Sequence, residues 1–362
     1  MTLFAQSLPY VRAISPYQPG KPITELAREM GLAVDQIVKL ASNENPLGMS
    51  PKARAALVAA LDTIERYPDD FVLKRAIAER YGLGMERVVL GNGSNDVLDL
   101  AARVFLAPGR SAVFAQYAFA VYPLATLSAG GDPIAVPARD YGHDLTAMRA
   151  AIRPDTRLVW IANPNNPTGT FVPYAQLEAF IASLPDDVLV VLDEAYNEYL
   201  PLAERVDTTA WLAHWPNLVI TRTFSKIYGL AGLRVGYALA SAEVADLMNR
   251  VRQPFNCNNL ALAAATAALT DDEFVARSQA LNSAGMQQIV AGLQSLGFAY
   301  IPSHGNFVSF RAGDAAAINQ RLLRQGVIVR PLAGYAMPEW LRVTIGRREE
   351  NDRFLAALEA AR

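Results

Sequence analysis

The chain of 362 residues reads as an α/β protein, with a mostly parallel central sheet covered by helices on both faces and a smaller α+β domain. Three observations predict this. The apolar runs RLVWIANP (157–164), VLVVLDEAY (188–196), NLVITRTFSK and VGYALA alternate with helical patterns, as strands do when helices bury both sides of a sheet. The first three runs give way to polar residues at their carboxyl ends, where open α/β sheets bind ligands. The last hundred residues then change character: helical patterns precede the short apolar runs FVSFRAG, VIVRPL and WLRVTIG.

In chain order, residues 1–20 show little periodicity, contain Pro9, Pro16, Pro19 and Gly20, and are expected to form an N-terminal arm or extended lead. ITELAREMG, from Ile23, predicts a short helix stopped by Gly31. KLASNENPLG (39–48) is rich in turn formers and predicts a loop that lines a site or links two elements. In SPKARAALVAALDTI, Ser50 suits the N-cap and Pro51 the first helical position. RVVLGNGSNDVLDLAARVFL predicts strand, Gly-rich turn and helix, and SAVFAQYAF a strand. ALAAATAAL and EFVARSQALNSAGMQQIVAGLQSLG predict helices. The expected division is a small α+β domain from 21–48 and 259–362, with a large α/β domain from 49–258.

Composition excludes several classes. Charged residues are 19% of the chain and the formal net charge is −2, so no basic surplus exists to neutralise a nucleic-acid backbone. The apolar fraction of 52% allows a sizeable core. The single cysteine, Cys257, gives no intrachain disulfide and no Cys-based metal site. His143, His214 and His304 lie far apart without ligand spacing, and no metal is expected. There is no signal-like leader and no uninterrupted apolar run of membrane-spanning length, so a cytoplasmic location is expected.

The polar residues that follow the apolar runs carry the chemistry. GNGS before a helix is a generic anion site, because free N–H groups and the helix dipole attract phosphate; it also fits an ordinary glycine turn. Asp193 alone fits a strand-end cap, and Lys226 alone a surface lysine. Together they answer the needs of a lysine that forms a Schiff base with pyridoxal 5′-phosphate. The phosphate needs a helix N-terminus, hydroxyls and an arginine. The ring nitrogen needs a carboxylate, the phenolic oxygen needs hydrogen-bond donors, and one ring face needs an apolar cover.

The motifs LASNENPLG, RYPD, GNGSND, NPNNPTG, LDEAYNEY, RTFSKIYGLAGLRVGY and LRVTIG run from residue 40 to 346. In that order they resemble the fold-type I, pyridoxal-phosphate-dependent aminotransferases of the aspartate aminotransferase superfamily, and within them the histidinol-phosphate aminotransferases (class II). The resemblance implies a pyridoxal 5′-phosphate cofactor held in the large domain. It implies Lys226 as Schiff-base lysine and proton carrier, Asp193 on the pyridine nitrogen, and Tyr196 and Asn166 on the phenolic oxygen. Phe119 corresponds to the residue stacked on the ring. Ser94, Asn95, Asp96, Thr223, Ser225 and Arg234 correspond to the phosphate cradle, although the family often has Asp-Glu where this chain has Asn95-Asp96. Tyr67 resembles a tyrosine that reaches the neighbouring subunit's phosphate, which implies a homodimer with shared active sites. Tyr17, Asn43, Arg330 and Arg342 are implied on the substrate side. The implied reaction converts L-histidinol phosphate and 2-oxoglutarate to imidazole-acetol phosphate and L-glutamate in histidine biosynthesis. Aromatic amino-acid transfer on the same fold is the alternative, since PLAGYAMPEW (331–340) brings aromatic residues beside the arginines. A lyase on this scaffold and a non-catalytic cofactor-binding module are more remote.

Overall fold

The computed structural model describes residues 2–362. Its strands are β1 (Val38–Lys39), β2 (Val88–Gly91), β3 (Ser111–Ala115), β4 (Asp132–Val136), β5 (Thr156–Ala162), β6 (Leu189–Asp193), β7 (Leu218–Thr223), β8 (Gly236–Leu239), β9 (Tyr300–Ile301), β10 (Phe307–Arg311), β11 (Val327–Ile328), β12 (Arg330–Pro331) and β13 (Trp340–Thr344). The central sheet has the order β2-β8-β7-β6-β5-β3-β4. It is parallel except for β8, which runs antiparallel to both β2 and β7.

The near-continuous apolar runs have a simple cause. Successive strand residues point to opposite faces, and both faces are covered. Val190 and Leu192 of β6 join one buried core, whereas Leu189 and Val191 join the other. Neither face meets water, so no polar alternation is left to read.

A second, four-stranded antiparallel sheet has the order β12-β13-β10-β9. Its core is shared with the helices Asp272–Ser295 and Arg348–Ala360. β1 pairs in parallel with β11 and ties the segment before the loop at residue 40 to the C-terminal part of the chain. The helix Ile23–Met30 ends at Gly31 in the left-handed conformation (φ 67°), as expected. Ser50 caps the helix Pro51–Ala60 by accepting from the Ala53 N–H.

The packing adds two particulars. The helix Asn259–Leu269, assigned above to the small domain, buries Ala261, Leu262, Ala264, Ala265, Ala268 and Leu269 in the core beneath the seven-stranded sheet. Small alanine side chains let it sit close against the helix Pro51–Ala60. The N-terminal arm is not wholly extended, because it holds the one-turn helices Leu3–Gln6 and Pro9–Arg12, the first capped by Thr2 and the second started by Pro9.

Candidate active site

A cavity lies at the carboxyl ends of the parallel strands, where open α/β sheets bind ligands. Asp193 is the last residue of β6 and Thr223 the last of β7, and Lys226 follows β7 by three residues. Four cationic side chains line the cavity (Lys226, Arg234, Arg330 and Arg342) against one carboxylate, Asp193. Such an imbalance in a concave site favours anions.

One end is built for a compact anion. The helix Ser94–Phe105 begins at the cavity, with Gly93 at its N-cap and no side chain capping it, so its first-turn N–H groups and positive dipole end are available. Thr223, Ser225 and Arg234 stand beside it. Arg234 donates to Ser225 Oγ at 3.3 Å and to the Ala231 carbonyl at 3.0 Å. Its backbone is left-handed at φ 58°, a conformation that costs a non-glycine residue about 1–3 kcal/mol and points to a constrained site. Gly93 has φ 83°, and a Cβ there would meet Arg234 Nη2 at 2.3 Å. The second glycine of GNG is therefore the room in which the guanidinium lies.

The middle of the cavity holds Asp193. Its Oδ2 accepts from the Tyr122 hydroxyl at 2.8 Å and its Oδ1 from the Ala195 N–H at 3.2 Å. Burial raises its pKa, and the Tyr122 hydrogen bond opposes that shift. A buried carboxylate of this kind calls for a cation. Tyr122 is itself stacked on Trp160, with centroids 5.2 Å apart and planes 2° from parallel. Phe119 borders the cavity and meets Tyr122 edge-on.

Lys226 Nζ lies 3.3 Å from the Ser42 carbonyl and 5.7 Å from the centre of the Tyr196 ring. Burial, and then the charge of Arg342, lower its pKa to about 8. That leaves roughly one-tenth of the amine neutral at pH 7, some 300 times the fraction of an ordinary lysine. Burial pushes the Tyr196 hydroxyl up to about 12. Asn43 Nδ2 donates to that hydroxyl at 2.9 Å.

At the mouth, Arg342 and Arg330 face each other across β13 and β12. Arg342 is only 5% exposed. It donates to Asn166 Oδ1 and to the Ala41 carbonyl, its guanidinium lies 5.0 Å from the Phe307 ring centre, and its Nε has no partner. Burial lowers its pKa, and no acidic side chain pairs with it among the described residues. Arg330 packs over the Tyr17 ring at 5.3 Å. The loop between β5 and the next helix carries Asn166, with cis peptide bonds at Asn163-Pro164 and Asn166-Pro167.

The structure thus brings Tyr17, Asn43, Ser94, Asn95, Phe119, Asn166, Asp193, Tyr196, Thr223, Ser225, Lys226, Arg234, Arg330 and Arg342 into one cavity. Two predicted residues lie outside it. Asp96 accepts from the Asn92 N–H at 2.8 Å and from Asn256 Nδ2 at 2.7 Å, so its carboxylate ties down the GNGS turn. Tyr67 is 81% exposed and stacks on Phe255 at the surface. Tyr122 and Tyr335 line the cavity without having been singled out. Tyr122 stands three residues after Phe119, one turn along the same stretch, and that spacing is the only sequence signal for it. Behind Asp193, on the other side of the sheet, Glu194 Oε2 accepts two hydrogen bonds from the buried Arg222, from Nε at 3.0 Å and from Nη2 at 2.7 Å.

Comparison with known proteins agrees with this geometry. A curated relative from Dechloromonas aromatica, histidinol-phosphate aminotransferase 1, is 73% identical over 361 residues and covers 100% of both chains. The protein of that name from Thiobacillus denitrificans is 64% identical over 98% of this chain and 93% of its own. The crystal structure of histidinol-phosphate aminotransferase from Sinorhizobium meliloti in complex with pyridoxal-5′-phosphate superposes with a TM-score of 0.90 at 29% identity, over 99% of this chain and 98% of that one. The family model for aminotransferase class I and II matches residues 35–358, and the chain belongs to that family.

Proposed function

We propose that the chain transfers the amino group of L-histidinol phosphate to 2-oxoglutarate, giving imidazole-acetol phosphate and L-glutamate, with pyridoxal 5′-phosphate as cofactor. The observation that carries this is the Arg342–Arg330 pair, buried at its inner end and unpaired with acid, in the same cavity as Lys226. A guanidinium grips a phosphate or a carboxylate equally well, so one pair can serve both the phosphorylated donor and the dicarboxylate acceptor. The full-length relatives named above support the choice of donor.

The residues fit the cofactor. Its phosphate suits the helix end with Ser94, Asn95, Thr223, Ser225 and Arg234. A protonated ring nitrogen supplies the cation that buried Asp193 lacks, Tyr196 and Asn166 suit the phenolic oxygen, and Phe119 suits a ring face. When bound, the cofactor supplies an electron sink for the bond broken at the substrate's amine-bearing carbon. Lys226 is poised as a base near neutral pH and carries a proton away from that carbon and back. Asp193 holds a proton on the ring nitrogen. Arg342 and Arg330 hold the substrate's far end, and Tyr17 and Tyr335 cover it from water.

A homodimer with shared sites is part of this proposal. Tyr67 (81% exposed), Phe255 (56%) and Ile64 (63%) form an apolar surface patch with a phenolic tip, which suits a subunit contact. A two-part division of the chain at the site, and a cytoplasmic location where soluble phosphorylated intermediates and 2-oxoglutarate meet, belong to the same proposal.

The test is a single half-reaction. Cofactor-loaded protein is mixed with L-histidinol phosphate, L-phenylalanine or L-tyrosine, and the cofactor's absorbance is followed to its amine form. Fast conversion by histidinol phosphate alone is expected. Faster conversion by the aromatic amino acids would move the substrate assignment to aromatic transfer. Of the segment 331–340, only Tyr335 reaches the cavity; Leu332, Met337 and Trp340 are buried in a small core that Tyr335 and Ile301 share.

A further inference from the structure

A chain of hydrogen bonds enters the cavity from the smaller sheet, running from Thr344 through Asn43 to Tyr196. Thr344, at the end of β13, is buried, and its hydroxyl accepts from the Asn43 backbone N–H at 2.9 Å. The same hydroxyl donates to Asn43 Oδ1 at 3.2 Å. In this arrangement the Asn43 carboxamide has its oxygen toward Thr344 and its nitrogen toward Tyr196. That nitrogen lies 2.9 Å from Tyr196 Oη. An amide nitrogen only donates, so Tyr196 Oη must accept there. The proton of Tyr196 cannot return to Asn43 and is left to point into the cavity.

The backbone holds this arrangement in place. Asn43 is left-handed at φ 56°, a region that asparagine tolerates better than most side chains. Asn306 Nδ2 donates to the Asn43 carbonyl at 3.0 Å. The residues just before Asn43 also face the site, with the Ala41 carbonyl on Arg342 and the Ser42 carbonyl on Lys226.

We propose that Asn43 and Thr344 are positioning residues that fix the direction of the Tyr196 hydroxyl, so that Tyr196 meets its ligand only as a donor. The proposal rests on the assignment of Tyr196 to the cofactor's phenolic oxygen. Thr344 stands two residues from Arg342 on one strand and shares its face. The strand that grips the substrate's anion therefore also sets the proton beside the cofactor.

Two near-isosteric variants test it. Asn43→Asp replaces the donor by an acceptor that takes the Tyr196 proton for itself. Thr344→Val removes the hydroxyl that orients the amide. Apo-protein is titrated with pyridoxal 5′-phosphate, and the absorbance of the bound cofactor is followed against pH. Asn43→Asp is expected to weaken cofactor binding about ten- to a hundredfold, the worth of a hydrogen bond to a charged group, and to move the midpoint of the spectral titration. Thr344→Val acts in the same direction but less, and Thr344→Ser restores most of that loss. In a Tyr196→Phe background, Asn43→Asp has little further effect, because both changes remove one interaction. Full additivity with Tyr196→Phe, or weaker binding with an unmoved titration midpoint, would overturn the proposal. If Asn43→Asp does not fold, the Val and Ser variants at 344 decide it by the same readouts. Wild-type protein that fails to bind the cofactor would overturn the site assignment itself and the proposal with it.

Discussion

The sharpest consequence of the site is the acidity of Lys226. Its pKa is brought from the ordinary 10.5 to about 8, first by burial and then by the charge of Arg342. The neutral fraction of the amine is then roughly one-tenth at pH 7, one-half at pH 8 and nine-tenths at pH 9. The rate at which apo-protein covalently captures pyridoxal 5′-phosphate should rise about tenfold from pH 7 to pH 9 and then level. An ordinary lysine would rise about a hundredfold over the same interval and continue upward. Stopped-flow absorbance measures this directly. Stability must follow the same equilibrium. Between about pH 8 and 10.5 the unfolded chain binds more protons at this lysine than the native chain does. The lysine's contribution to stability therefore rises with pH through that window, and its destabilising effect is complete below about pH 8. Lys226→Met should remove that slope from apo-protein denaturation curves. A capture rate that climbs steadily to pH 10, or an unchanged slope in Lys226→Met, would refute the reasoning.

Further expectations follow from neighbouring residues. Asp193→Asn should slow the half-reaction by roughly 10²–10³-fold, the loss typical of a removed electrostatic partner, while leaving cofactor capture by Lys226 measurable; a near-normal rate would contradict its role. Gly93→Ala should weaken cofactor binding in a titration by tenfold or more, because the new Cβ would stand 2.3 Å from Arg234 Nη2 and also strain the backbone by about 1–3 kcal/mol. If sites are shared between subunits, mixing Tyr67→Ala with Lys226→Ala should restore one intact site per mixed dimer, or about a quarter of wild-type activity after random exchange. No recovery despite demonstrated exchange would count against a contribution from the neighbouring Tyr67.

Much of this was legible in the sequence because the sheet and the site share one cause. Strands buried on both faces leave long apolar runs, and the ligand-facing residues are the polar ones at their ends, so Asp193, Thr223 and Lys226 stand out without a structure. The edge strand β4 did not, because Asp132 and Ala135 are exposed and Pro133 breaks its apolar run, as edge strands allow. Asp96 sits in the phosphate motif yet bonds to Asn92 and Asn256, and nothing in a one-dimensional motif separates a side chain that touches the ligand from one that braces the turn. Tyr122 was hidden for the opposite reason: a tyrosine among apolar residues reads as core, and most of its ring is core. The docking of the helix Asn259–Leu269 was hidden too, because its alanines share a core with the helix Pro51–Ala60, far earlier in the chain.

Asp193 and Glu194 are consecutive, and β6 turns one toward the cavity and hands the other to Arg222 behind the sheet. Their roles depend on parity alone. Deleting or inserting one residue anywhere in β6 would exchange them, leaving Arg222 buried opposite a shorter carboxylate and pushing a longer one into the cavity. Substitutions along this strand can be graded by size and polarity, but changes in its length cannot. A deletion scan across the chain should therefore find residues 189–194 among the least forgiving segments, even though most of them never touch a ligand.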